Sequence, residues 1–159
     1  MARRDAPGST REESELTDFT DACRGRKVLL VEDSPVISEA TEMMLADMGC
    51  EIVGPAGTMA PALQLATDEP LDAAVVDINI RGGKAFAILT ILEKREVPFL
   101  LTSGYADWSM PEEWRGRPRL TKPYGEDEMR AAMAALLGGA PVQDGAATPV
   151  ASGSQSAAD

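Results

Sequence analysis

The stretch "KVLLVEDSPVISEATEMMLADMG", residues 27–49, contains a complete structural unit. Its first six residues, "KVLLVE", form a short apolar run that ends on an acid, the pattern of a buried strand. A second acid, Asp33, comes next, and "DSP" is a helix opening, with a capping side chain and a first-turn proline. From 35 to 48, Ile37, Ala40, Met44 and Met48 recur on one helical face, and Gly49 ends the helix. The unit is therefore strand, turn, helix, with Glu32 and Asp33 at the turn.

Outward from this unit the same alternation repeats. "CEIVG", "DAAVVD", "PFLLTS" and "RLT" read as four further strands. A helix over 58–67 places Met59, Leu63 and Ala66 together, and one over 84–95 groups Ala85, Ile88, Leu89 and Leu92 before ending on Lys94 and Arg95. The last helix, 126–137, opens on three acids, which suits the positive end of its dipole, and carries Met129, Met133, Leu136 and Leu137. Between the fourth and fifth strands, "GYADWSMPEEWRGRP" has prolines at 111 and 118 and a glycine at 116, leaving room only for a shortened fourth helix. Strands this apolar need cover on both faces, so five such units imply an α/β fold with a doubly wound, five-stranded parallel sheet. Ligands of such sheets lie beyond the carboxyl ends of the strands.

The flanks differ in composition. Residues 1–25 are rich in charge, Pro, Gly and Ser and are expected to form a disordered leader, with a short helical patch at "ESELTDF". The Gly/Ala/Pro/Ser-rich segment 138–159 is expected to be a disordered tail, and 26–137 is the folded domain. The five methionines 43, 44, 48, 129 and 133 lie at helical spacing and are expected in the core. Trp108 and Trp114 fit either core packing or an aromatic patch for a partner.

Charge and residue usage narrow the function. The 159 residues carry 26 Asp+Glu against 15 Lys+Arg, a formal net charge of -11. That balance opposes a broad grip on nucleic acid or anionic lipid, so neither is an expected partner. No run of apolar residues is long enough for a membrane span, and the arginine-containing start has no apolar region behind it, so a cytoplasmic protein is expected. Cys23 and Cys50 lack the spacing of a metal site or disulfide framework and read as free thiols in a reducing compartment. With no histidine, histidine acid–base chemistry, histidine metal sites and phosphohistidine donation by this chain are excluded.

The remaining chemistry converges on one edge of the sheet. Glu32 and Asp33 end the first strand, Asp77 the third, Thr102 and Ser103 the fourth, and Lys122 follows the fifth. Each has an ordinary structural reading: Asp33 as a helix cap, Asp77 as a turn cap, the hydroxyls as backbone partners, Lys122 as a solvated lysine. Their conjunction points to a site. Three carboxylates close together repel unless a cation joins them, and Mg²⁺, which prefers oxygen ligands, meets that need. A carboxylate beside such a cation can attack phosphorus, because the charge of the incoming phosphoryl oxygens is neutralised.

The motifs "LLVEDSP", "AVVDINI", "PFLLTSG" and "TKP", in that order within five β-α units, resemble the receiver domain of bacterial two-component response regulators, a flavodoxin-like fold. The resemblance covers nearly all of 26–137. It implies that Asp77 is the phosphoacceptor and that Glu32, Asp33, Asp77 and the backbone carbonyl of Asn79 bind Mg²⁺. It further implies that Ser103, or Thr102 if the register shifts by one, contacts the phosphoryl group, that Lys122 pairs with its oxygens, and that Lys122-Pro123 is cis. The implied partners are a sensor histidine kinase and a downstream protein, reached by contact because no DNA-binding output element is evident. The protein would be a stand-alone phosphoacceptor, or a phosphate sink, rather than an enzyme. Departures are Arg119 where the family usually has an aromatic switch residue, the short segment before Lys122, and no proline after "INI". The "PFLLTSGY" run is similar to a subgroup of single-domain receivers from alphaproteobacteria. Two other readings use the same residues: a receiver-like binding module that is not phosphorylated, and a phosphatase of the haloacid-dehalogenase type. The latter expects an acid two residues after the nucleophile, where this chain has Asn79.

Overall fold

The computed structural model describes residues 23–104 and 110–138. Along the chain, β1 (Lys27–Val31) leads to α1 (Pro35–Asp47), β2 (Glu51–Ala56) to α2 (Met59–Asp68), and β3 (Ala73–Asp77) to a small hairpin of β4 (Asn79–Ile80) and β5 (Gly83–Lys84). Then come α3 (Phe86–Lys94), β6 (Phe99–Ser103), the single-turn α4 (Glu112–Arg115), β7 (Arg119–Thr121) and α5 (Glu126–Leu137). The main sheet is parallel, in the order β2-β1-β3-β6-β7. The expected doubly wound sheet with a shortened fourth helix is thus the observed one.

Strand alternation divides the core in two. Leu29, Val31, Ala74, Val76, Phe99 and Leu101 pack with α2 and α3 through Ala62, Ala66, Ile88, Leu89 and Leu92. Val28, Leu30, Ala73, Val75 and Leu100 pack on the opposite side with Leu45 and Met48 of α1 and Met129 and Met133 of α5. Every residue of β3 and β6 is buried, as a central strand covered on both faces requires. Trp114 packs into the first cluster in an edge-type contact with Phe99, ring centroids 6.0 Å apart, so it serves the core. Trp108 lies outside the described residues.

α1 departs from the expected face. The residues it buries are Ser38, Thr41 and Leu45, continued by Met48 at its cap, while Ile37 and Met44 are half-buried and Ala40 is exposed. The helix thus turns two small polar residues inward, and its larger apolar residues lie at the flank. Met43 is 63% exposed rather than in the core. The helix stops where Gly49 takes φ 86°, a left-handed conformation that suits a residue without Cβ.

The folded chain also begins earlier than the composition implied. Cys23, placed in the expected leader, is 1% exposed and belongs to the α1/α5 side of the core. Backbone bonds from Gly25 N to Gly49 O and from Glu51 N to Arg26 O tie this lead-in to the start of β2. The rest of the leader and the tail from 139 onward lie outside the described residues.

Candidate functional site

The carboxyl edge of the sheet gathers its chemistry from four strand ends. β1 and β3 run side by side, with Val31 in register with Val76, so the acids that follow them arrive together. One carboxylate oxygen from each of Glu32, Asp33 and Asp77 lies within 4.8 Å of the others. Glu32 and Asp77 are both 4% exposed, whereas Asp33 is half-buried. Ser34, not Asp33, caps α1: its hydroxyl accepts from Ile37 N at 3.4 Å. The cap therefore leaves the Asp33 carboxylate to the cluster.

Lys122 supplies the cation. Its ammonium lies 2.7 Å from Glu32 Oε1 and 2.8 Å from Asp77 Oδ2. The backbone orients the other oxygens, since Ser34 N donates to Glu32 Oε2 and Asn79 N donates to Asp77 Oδ1, both at 3.0 Å. Burial raises the Glu32 carboxyl above its ordinary range, and the neighbouring charge of Asp77 adds to this against the bonds from Lys122 and Ser34. Burial pulls the Lys122 ammonium down, but its bonds to Asp77 and Glu32 outweigh that and leave it above its usual value. Lys122 is therefore charged at neutral pH.

The hydroxyls stand beside this cluster. Thr102 is in register with Asp77 on the neighbouring strand, and Ser103 ends β6 one residue later. Both are buried. Lys122 N donates to Ser103 O at 2.8 Å, which fixes the lysine's backbone against the strand end. The Lys122-Pro123 bond is cis, as expected, and so is Gly54-Pro55, which nothing in the sequence reading anticipated. Arg119 opens β7, half-buried and in register with Leu101.

The sequence reading missed two residues here. Tyr124 follows Lys122-Pro123 and is half-buried. Its hydroxyl meets Thr41 Oγ1 at 2.7 Å, tying the loop that carries Lys122 to α1. Burial pushes its phenol up, so it remains neutral. An aromatic with a polar tip directly after the Lys-Pro pair was the available signal. Lys84 in β5 donates to the Asn79 side chain, closing the hairpin beside Asp77. The signal there was the "IRGG" turn between two residues able to pair.

Among the described residues, three carboxylates against one ammonium give the cluster surplus negative charge. An all-oxygen donor set that already converges on a cation fits a hard dication such as Mg²⁺. A flank of α1 adds an apolar groove of about 440 Å³, lined by Val36, Ile37, Met44, Pro123 and Tyr124 and reaching Lys122.

Residues 28–134 match the family model of the response regulator receiver domain. Among curated proteins, the transcriptional regulatory protein PdtaR of Mycobacterium tuberculosis is 29% identical over 117 residues, covering 71% of this chain. The match spans 57% of that relative's length. Among solved structures, SdrG from Sphingomonas melonis Fr1 is 37% identical with a TM-score of 0.65, covering 72% of this chain and 98% of that one. The receiver domain of the sensor histidine kinase PA1611 from Pseudomonas aeruginosa PAO1, solved with a magnesium ion coordinated in its active-site cleft, is 22% identical. It superposes with a TM-score of 0.61 over 72% of this chain and 98% of that one. Among the described residues, no helix is long and apolar enough to cross a membrane.

Proposed function

The chain belongs to the response regulator receiver family, and we propose that it is a single-domain response regulator that accepts a phosphoryl group on Asp77 from a sensor histidine kinase. The observation that carries this reading is the Lys122 ammonium held between Glu32 and Asp77 inside a cluster of three carboxylates. A buried carboxylate is costly, and among the described residues one lysine faces three carboxylates, so the cluster favours further positive charge.

In the transfer, an Asp77 carboxylate oxygen bonds to phosphorus while the bond from phosphorus to the kinase's histidine nitrogen breaks, and that nitrogen takes up a proton. Asn79 N–H and the Lys122 ammonium hold the Asp77 carboxylate at its two oxygens, so the nucleophile is oriented before the donor arrives. Lys122 then pairs with the phosphoryl oxygens, and the Ser103 hydroxyl, with Thr102 as the alternative, donates to them. Glu32, Asp33, Asp77 and the Asn79 carbonyl would hold Mg²⁺, which when bound neutralises charge on the phosphoryl oxygens. The magnesium in the PA1611 receiver supports the same choice of ion.

The signal passes by protein contact, or the protein acts as a phosphate sink. The groove gives a partner an apolar surface that reaches Lys122, and the net charge of -11 argues against nucleic acid and anionic membranes. We place the protein in the cytoplasm and treat it as a phosphoacceptor, with no catalytic turnover beyond its own phosphorylation and dephosphorylation. Arg119 in place of the aromatic switch favours a second reading, an unphosphorylated binding module. Intact-mass measurement after incubation with acetyl phosphate and Mg²⁺ tests between them. One phosphoryl adduct, absent with chelator and absent in Asp77→Asn, is expected. No adduct from acetyl phosphate or from a cognate kinase would leave the binding module as the better account.

A further inference from the structure

At the end of the sheet opposite the acidic cluster, two nucleophiles are buried together. Cys23 is 1% exposed and Cys50 8%, both free thiols. Cys50 immediately precedes β2, and the lead-in carrying Cys23 is laid alongside it by the Gly25–Gly49 and Arg26–Glu51 backbone bonds, each 2.8 Å. The approach is tight: a Cβ on Gly49 would meet Arg24 Cα at 3.2 Å. Within this frame both side chains belong to the same buried cluster, on the α1/α5 side of the sheet. We infer that Cys23 and Cys50 form a redox-sensitive thiol pair, a modification site whose co-reactant is a disulfide oxidant such as oxidised glutathione or a dithiol oxidoreductase.

The chemistry of the two sulfurs is unequal in the way such a pair requires. The neighbouring Cys50, aided by the charges of Arg130 and Arg26 and opposed by burial, lowers the Cys23 thiol to about 7. Cys50 is pushed up by the neighbouring Cys23 and by burial. Cys23, carried on the lead-in before β1, is the attacking thiol, and Cys50, anchored directly before β2, is the resolving one. Reaction requires the lead-in from Cys23 to Arg26 to part from the β2 side, at the cost of its two backbone bonds, so that Cys23 meets the oxidant. The Cys23 thiolate then attacks one sulfur of the oxidant, forming a mixed disulfide and releasing one thiol that takes the proton Cys23 lost. Cys50, giving up its own proton, attacks the Cys23 sulfur, closes the Cys23–Cys50 disulfide and releases the second thiol. Two protein thiols are oxidised and one oxidant disulfide is reduced to two thiols. In a reducing compartment the pair rests as the dithiol, and the disulfide records a shift in thiol–disulfide balance.

The test equilibrates the full chain, in native buffer, with glutathione mixtures running from reduced to oxidised. Samples are quenched in acid, unfolded and alkylated, and the thiols are counted by intact mass. A single transition from two alkylated cysteines to none, without retained glutathione, is expected, and peptide mapping should join the fragments holding Cys23 and Cys50. Cys50→Ser should instead accumulate one glutathione, on Cys23. Two alkylatable thiols at the oxidised extreme, a stable double glutathione adduct, or a disulfide linking two chains would overturn the inference.

Discussion

Replacing Lys122 with methionine removes the only ammonium that reaches Glu32 and Asp77 among the described residues, and the two contacts are short enough to size the effect. At 2.7 and 2.8 Å each gives a gross attraction of about 6 kcal/mol at an effective dielectric of about 20. Returning the lysine to water recovers several kcal/mol, so the net loss falls in the range of roughly 3–5 kcal/mol seen when a buried pair loses one member. The reverse perturbation behaves differently. Asp77→Asn forfeits one attraction of about 6 kcal/mol but relieves repulsion from Glu32 and Asp33, about 3–4 kcal/mol each at the separation of the cluster. Its stability should therefore lie within about 1 kcal/mol of the wild type. Urea titration in chelator at pH 7, with the slope checked for constancy, measures both. Mg²⁺ should restore part of the loss in Lys122→Met, because it binds the folded cluster and not the unfolded chain. An Asp77→Asn cost as large as that of Lys122→Met would refute the electrostatic reasoning.

Other expectations concern neighbouring groups. Glu32 is raised in the folded state, so its contribution is fully present below its unfolded value and fades as pH rises through the folded one. In chelator, Glu32→Gln should gain on the wild type at neutral pH, and the gain should shrink as the pH falls toward 4.5; a gain that grew on acidification would reverse the sign. Tyr124→Phe leaves the buried Thr41 hydroxyl without its partner and should cost about 1–2 kcal/mol. Adding Thr41→Val should recover part of that in a double-mutant cycle, whereas strict additivity would deny the coupling. Leu89→Ala, at a fully buried position facing the sheet, should cost about 2–5 kcal/mol by denaturant titration. Its phosphorylation per folded molecule should be unchanged.

The parallel sheet was legible because each strand is an apolar run and each connection has a period, a cap or a breaker of its own. Val75, Val76, Leu100 and Leu101 declare buried strands without any tertiary knowledge. The face of α1 was not legible, because Ser38 and Thr41 are polar yet buried, and only the Tyr124 hydroxyl, which pairs with Thr41, accounts for one of them. Polarity likewise hid Cys23, whose lead-in is held by backbone bonds to a segment more than twenty residues away. At the site, the strand-end acids and Lys122 could be grouped from topology alone. Which serine or acid caps α1, and where the lysine settles among three carboxylates, depended on distances that no sequence period encodes.

The central claim is that Asp77, and no other carboxylate of the cluster, takes the phosphoryl group. Protein incubated with acetyl phosphate and Mg²⁺ is treated with borohydride, which reduces an acyl phosphate to the alcohol and so marks the modified side chain permanently. Peptide sequencing by mass spectrometry should then find homoserine at position 77 and intact acids at 32 and 33. Reduction at Glu32 or Asp33 with Asp77 untouched would contradict the account.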